Sequence, residues 1–110
     1  MIFRVVITDQ ALKYIEEQAN YIAVEGQSPL NAKRWLSRVM AAAASLELMP
    51  RRNPRAPEAG HHDFEVRALN VDGFLLIFVV NDIDQTVRVI TARHGRQLPN
   101  PEDLSNTMNN

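Results

Sequence analysis

Apolar positions along the chain keep two different rhythms. Phe3, Val5 and Ile7 alternate with Arg4 and Val6, which predicts a short strand with one buried face. From Thr8-Asp9 the spacing widens. Leu12, Ile15, Ala19 and Ile22 recur in steps of three and four, so an amphipathic helix is expected over residues 9–24 with Thr8 as its N-cap. Lys13, Glu16, Glu17 and Asn20 fall on its outer side, and Gly26 follows where a C-cap is expected. Ser28-Pro29 restarts the pattern, with serine at the cap and proline at the first helical position, where a missing N–H costs nothing. Ala32, Trp35 or Leu36, Val39, Ala43 and Leu46 then form the buried stripe of a second helix ending before Pro50, which leaves Lys33, Arg34 and Arg38 outside. The connection is short, so the helices are expected to pair as an antiparallel hairpin.

Residues 50–62 carry three prolines and no period, and so predict a loop. The rhythm then returns to two. Phe64, Val66 and Ala68 alternate with Glu65, Arg67 and Leu69, and Asp72-Gly73 supplies a hairpin turn. Phe74 to Val80 is apolar throughout, as a central strand covered on both faces would be. Asn81 to Gln85 leads into a last strand over residues 86–93. Beyond Pro99 the tail is polar and expected to fray, with one helical turn available at Pro101 to Leu104. This order predicts one α+β domain over residues 1–110: an N-terminal strand, an antiparallel helical hairpin and a three-stranded antiparallel meander. The helices are expected on one face of a four-stranded sheet.

Composition narrows the classes of function. A chain of 110 residues, 45% apolar and 23% charged, has the make-up of a globular protein with one core. The absence of cysteine excludes disulfides, thiolate nucleophiles and cysteine-ligated zinc. A net charge of −1 argues against binding nucleic acid with the whole surface, but leaves room for a local basic face. Met1 to Ile7 has no cationic leader pattern and no segment reaches transmembrane length, so no membrane association and a cytoplasmic location are expected.

Candidate chemistry collects at the end of the last strand, where Arg93, His94 and Arg96 surround Gly95 ahead of Pro99. Two fixed cations and an imidazole in that position suit a phosphate or an acidic partner surface; the alternative is a solvated strand end. Arg67, on a neighbouring strand, is expected close to them. His61-His62 with Asp63 and Glu65 supply metal-ligand residue types, but adjacent loop histidines seldom converge on one ion. No metal and no cofactor are therefore expected. Trp35 sits on a core stripe, and Arg51, Arg52 and Arg55 read as solvated loop charge or as a target-facing edge.

Several short pieces, in order and at these spacings, resemble one family. They are Tyr21-Ile22-Ala23, Ser28-Pro29 with Ala32 and Trp35, Pro50-Arg51 through Pro54 to Ala56-Pro57-Glu58, Arg67-Ala68-Leu69, and His94-Gly95-Arg96. Over roughly residues 3–98 the chain is similar to the RelE/ParE superfamily of type II toxin–antitoxin (plasmid stabilisation) toxins. The resemblance implies one of two activities: RelE-like members cut mRNA on the ribosome, whereas ParE-like members poison DNA gyrase. Metal-free RNA cleavage needs an acid or base, here His94, and cations, here Arg67, Arg93 and Arg96. RelE-like members draw further basic residues and often a tyrosine from the sheet and C-terminus. Phe74 to Val80 contains neither lysine nor arginine, and no tyrosine follows Tyr21. The ParE-like branch is therefore the expected one, with gyrase as target and no catalytic residues assigned; an mRNA endonuclease is the alternative, and a non-toxic binding module of the same fold a third reading. The implied partner is a cognate antitoxin in a hetero-oligomer. Its disordered segment is expected to cover an open apolar second sheet face at Leu69, Leu75, Ile77, Ile90 and Ala92, with an added edge strand as a further option, while its acidic residues meet Arg67, Arg93, His94 and Arg96.

Overall fold

The computed structural model describes residues 2–57 and 65–99. Strand β1 (Arg4–Ile7) leads into helix α1 (Asp9–Val24), then α2 (Pro29–Ala44), two 3₁₀ turns at Ser45–Glu47 and Pro50–Arg52, and strands β2 (Val66–Val71), β3 (Phe74–Asn81) and β4 (Thr86–His94). Both predicted caps form: the Thr8 hydroxyl oxygen accepts from the Ala11 N–H at 3.2 Å, and that of Ser28 from the Asn31 N–H at 3.1 Å. Helix α2 stops earlier than its hydrophobic stripe suggests. Residues preceding a proline are disfavoured in helical conformation, and Met49, before Pro50, adopts φ 50°. The chain therefore tightens into 3₁₀ turns after Ala44, and Leu46 reaches the core from there. At the hairpin tip the cap residue is Glu25, whose N–H donates to the Tyr21 carbonyl at 2.8 Å. Gly26 serves a different need from the one its position suggests, since a Cβ there would lie 2.6 Å from the Ile22 carbonyl oxygen. The left-handed residue of the turn is Gln27, at φ 51°.

The sheet order is β1-β4-β3-β2. Consecutive strands β2, β3 and β4 pair antiparallel as the meander predicts, but β4 also accepts β1 in parallel, with Val5 opposite Val87 and Ile7 opposite Val89. The last strand among the described residues is thus an interior one. A bulge sets Ile77 opposite Thr91 but Phe78 opposite Val89, so Ile90 is the extra residue. The helices pack on one face of this mixed sheet, with Ile15, Trp35, Val39 and Leu46 meeting Phe74, Leu76, Phe78, Val87 and Val89. No helix among the described residues is long and apolar enough to cross a membrane.

The second face departs from expectation. Ile77 and Ile90 are 0% exposed, and they cluster with Val66, Ala68 and Ala56, with Leu75 and Val79 partly buried beside them. The proline-rich segment, expected as a loop, accounts for part of this closure. It runs beside β2 as a short extra pairing: the Ala56 N–H donates to the Val66 carbonyl and the Ala68 N–H to the Pro54 carbonyl, both at 2.9 Å. Leu69 and Ala92 belong to the helix-covered side instead. No open patch of Leu69, Ile77, Ile90 and Ala92 exists, and the same segment shields part of the β2 edge.

Candidate functional site

The end of β4 is built as a braced turn beside the β2–β3 hairpin. Asp72 (φ 54°) and Gly73 (φ 89°) form that hairpin turn in the left-handed conformations expected of an Asp-Gly pair, and the Asn70 side-chain oxygen accepts from the Gly73 N–H at 2.7 Å. The Gly95 N–H donates to the Gly73 carbonyl at 2.8 Å, joining the two turns. Gln97 closes the loop: its N–H donates to the His94 carbonyl at 3.1 Å, while its side-chain oxygen accepts from the His94 N–H at 2.8 Å. A cleft of about 670 Å³ opens between them, lined by Asn70, Asp72, Gly73, His94, Gly95, Arg96 and Gln97.

Within the cleft His94 is fixed from beneath by aromatic packing. Its ring meets Phe74 edge-on, 5.7 Å between centroids, and Phe74 in turn meets Trp35 edge-on at 5.2 Å. Trp35 is core, as its stripe predicts, yet through Phe74 it also supports the candidate histidine. Arg93 has a different task. It pairs in register with Leu75, a residue of the second sheet face, and its Nη1 donates to the carbonyls of His94 at 3.1 Å and Gln97 at 2.9 Å. That guanidinium braces the turn. The cleft lining therefore contributes one guanidinium, one imidazole and two side-chain amides, a set suited to holding an anion. Asp72 adds a carboxylate, which accepts from Nε of Arg38 on α2 at 3.0 Å.

Arg67 lies elsewhere. Strand β3 separates β2 from β4, and Arg67 stands opposite Phe78 whereas His94 stands opposite Phe74. Four residues along a strand and two strand spacings across place their backbones roughly 16 Å apart. The side chain of Arg67, 17% exposed, donates to the Glu65 carboxylate and to the Asn53 carbonyl. Glu65 also accepts from Nε of Arg51 at 3.0 Å, and Arg51 grips Asp82 of the β3–β4 turn bidentately at 2.8 and 3.0 Å. Burial pushes the Glu65 carboxyl up, but the hydrogen bonds from Arg51 and Arg67 outweigh it and hold the group below the usual carboxylate range. The hydrogen bond from Arg51 likewise lowers Asp82, and the Arg51 guanidinium is raised by Asp82 and then Glu65.

Of Arg67, Arg93, His94 and Arg96, expected in one cluster, the last three stay together at the end of β4, with His94 and Arg96 lining the cleft and Arg93 bound to carbonyls of the turn, while Arg67 is set apart. Glu65, considered among metal-ligand types, is an arginine partner, and Arg51 is paired charge instead of solvated charge. The available signal was the run Arg51, Arg52, Arg55 set against carboxylates at Glu65 and Asp82, though nothing local specifies which would meet. His61, His62 and Asp63 lie outside the described residues, among which no group of three or more ligating side chains could hold a metal ion.

Three solved structures share this architecture. The toxin–antitoxin structure titled "Chromosomal ParDE TA system from P. aeruginosa" superposes with a TM-score of 0.65 at 12% identity, covering 84% of this chain and 96% of that one. The archaeal RelE–RelB complex from Pyrococcus horikoshii gives 0.59 at 18% identity, with coverages of 89% and 100%. A double arginine-to-alanine mutant of E. coli RelE in the free state gives 0.59 at 17% identity, with coverages of 99% and 97%. No curated protein sequence matches the chain. The family model described as "ParE toxin of type II toxin-antitoxin system, parDE" matches residues 5–99, and the chain belongs to that family.

Proposed function

We propose that this toxin acts by binding DNA gyrase and not by cutting RNA, and that a cognate antitoxin neutralises it in a hetero-oligomeric complex. The observation that carries this reading is the state of Arg67. A cation serving a phosphorane must reach the scissile phosphate together with the acid or base. Arg67 is instead bound to Glu65 and stands roughly 16 Å from His94 along the sheet. With Arg93 engaged by two carbonyls, the cleft retains His94 and Arg96 alone from the nuclease set. That inventory supports a binding surface better than a metal-free nuclease. The antitoxin part draws support from the solved relatives, a ParDE system and a RelE–RelB complex. In this reading acidic antitoxin side chains meet His94 and Arg96 in the cleft, and Leu75, partly buried, lies at the rim of any contact on the second face. Two readouts test it: supercoiling by purified gyrase with added toxin, and mapping of mRNA ends after a pulse of toxin expression. Loss of supercoiling with intact transcripts is expected; transcripts cut on the ribosome with supercoiling unaffected would overturn the proposal in favour of the endonuclease.

A further inference from the structure

The outward sides of the two helices carry opposite charge. Helix α1 exposes Asp9, Glu16 and Glu17 around Lys13, while α2 has no acidic residue and exposes Lys33, Arg34 and Arg38. Among the described residues Glu16, Glu17, Lys33 and Arg34 make no ion pair; Arg38 bonds to Asp72. Apolar side chains accompany the charges at the hairpin tip, where Val24 is 61% and Leu30 56% exposed. Leu30 also lines a depression of about 500 Å³ together with Lys33, Arg34, Ser37 and Arg38.

We infer that this face pairs with the same face of a second copy of the chain, about a two-fold axis running parallel to the helices. Such an axis lays α1 of one copy antiparallel on α2 of the other, with both hairpin tips at the same end. The residues that come level are those equally distant from the turn residue Gln27. Val24 then meets Leu30, Asn20 meets Arg34, and Glu16 meets Arg38, with Glu17 between the two arginines. Every charge contact occurs twice, and each joins opposite signs. Lys13 comes level with Ala41, an exposed small residue that leaves room for its stem. An axis that stacked α1 on α1 would oppose Glu16 and Glu17 to their own copies, so the charge pattern selects one arrangement over the other.

The size of the contact sets its strength. Two helices of 16 residues, each about 24 Å long and about 10 Å wide, offer about 480 Å² per copy, near the lower limit for a specific interface. Association is therefore weak, in the micromolar range, and sensitive to salt because the pairs sit at an exposed rim. An acidic helix of the antitoxin is the competing occupant for the basic side of α2.

Sedimentation equilibrium on the isolated full-length chain tests the pairing. Dimers are expected at low ionic strength, with the dissociation constant rising about tenfold or more between 0.02 and 0.3 M salt. Two charge-reversed chains are then compared, Glu16→Lys with Glu17→Lys, and Arg34→Glu with Arg38→Glu, each checked by circular dichroism for an unchanged fold. Each alone is expected to be monomeric, and an equimolar mixture to recover the dimer, because each mixed pair again opposes unlike charges. A wild-type chain that stays monomeric at low salt overturns the inference, as does a mixture that fails to associate. So does an Arg34→Glu, Arg38→Glu chain that self-associates normally but loses antitoxin affinity, which would assign the face to the antitoxin.

Discussion

Replacing Glu65 by glutamine removes the charge from between two guanidinium groups while keeping the side chain's size. In the native chain this carboxylate holds Nε of Arg51 at 3.0 Å and the guanidinium of Arg67, whose side chain is 17% exposed against 20% for Glu65. A hydrogen bond to a charged group contributes about 1.5–3 kcal/mol, and stranding a fully buried charge costs about 3–5 kcal/mol. The Asn53 carbonyl still holds one N–H of Arg67, and some water reaches the pair, so a loss of about 2–3 kcal/mol is expected. The pH dependence has a definite sign. The folded-state pKa of Glu65 is depressed, so its contribution is fully present above the unfolded value of about 4.3 and is lost as the pH falls through the folded value. The gap between wild type and Glu65→Gln should stand at its full size at pH 7 and shrink toward zero in acid. Urea unfolding followed through the single tryptophan, Trp35, buried against Phe74, measures it at each pH. A gap under about 0.5 kcal/mol at pH 7, or one that persists undiminished at about pH 3, would refute the claim that Glu65 neutralises Arg67.

Other substitutions probe the remaining features. Gly26→Ala should destabilise by about 1–3 kcal/mol because its methyl would press on the Ile22 carbonyl, whereas Gln27→Gly should stabilise by roughly 0.5 kcal/mol by relieving a left-handed residue; thermal melts of both separate the two roles. Ile90→Ala should cost about 2–5 kcal/mol in urea unfolding if the second sheet face is closed, and under about 0.5 kcal/mol if that side chain stands in water. Arg93→Gln should loosen the turn after β4 with little global loss, read as faster hydrogen exchange at the Gly95 and Gln97 amides while those of β3 keep their protection.

The elements legible in the sequence are those whose cause lies within a few residues. A 3.6-residue period marks α1 and α2, Thr8 and Ser28 cap the helices they precede, and Asp72-Gly73 turns β2 into β3, because each depends on local backbone geometry and neighbouring polar groups. The hairpin and the meander follow from their short connections. Family membership was legible as well, through several weak pieces in a fixed order. Strand order was not: the Thr8 hydroxyl finds the Val89 carbonyl 81 residues away, and the parallel β1–β4 pairing that makes the last strand interior has no local signature. The candidate site suffered most from this. Arg93, His94 and Arg96 are neighbours in the chain and stay near one another, but strand alternation and the closing turn give Arg93 a bracing role that composition does not reveal. Arg67 and His94 were joined by an assumed adjacency that β3 interrupts, and Glu65, two residues from Arg67, acts as its partner only because Arg51 and Asn53 close the same corner. Pairing among like candidates is a long-range choice, made when the sheet assembles and desolvates some charges and not others. Local sequence supplied the charges, and the tertiary structure decided which of them face a partner and which face each other.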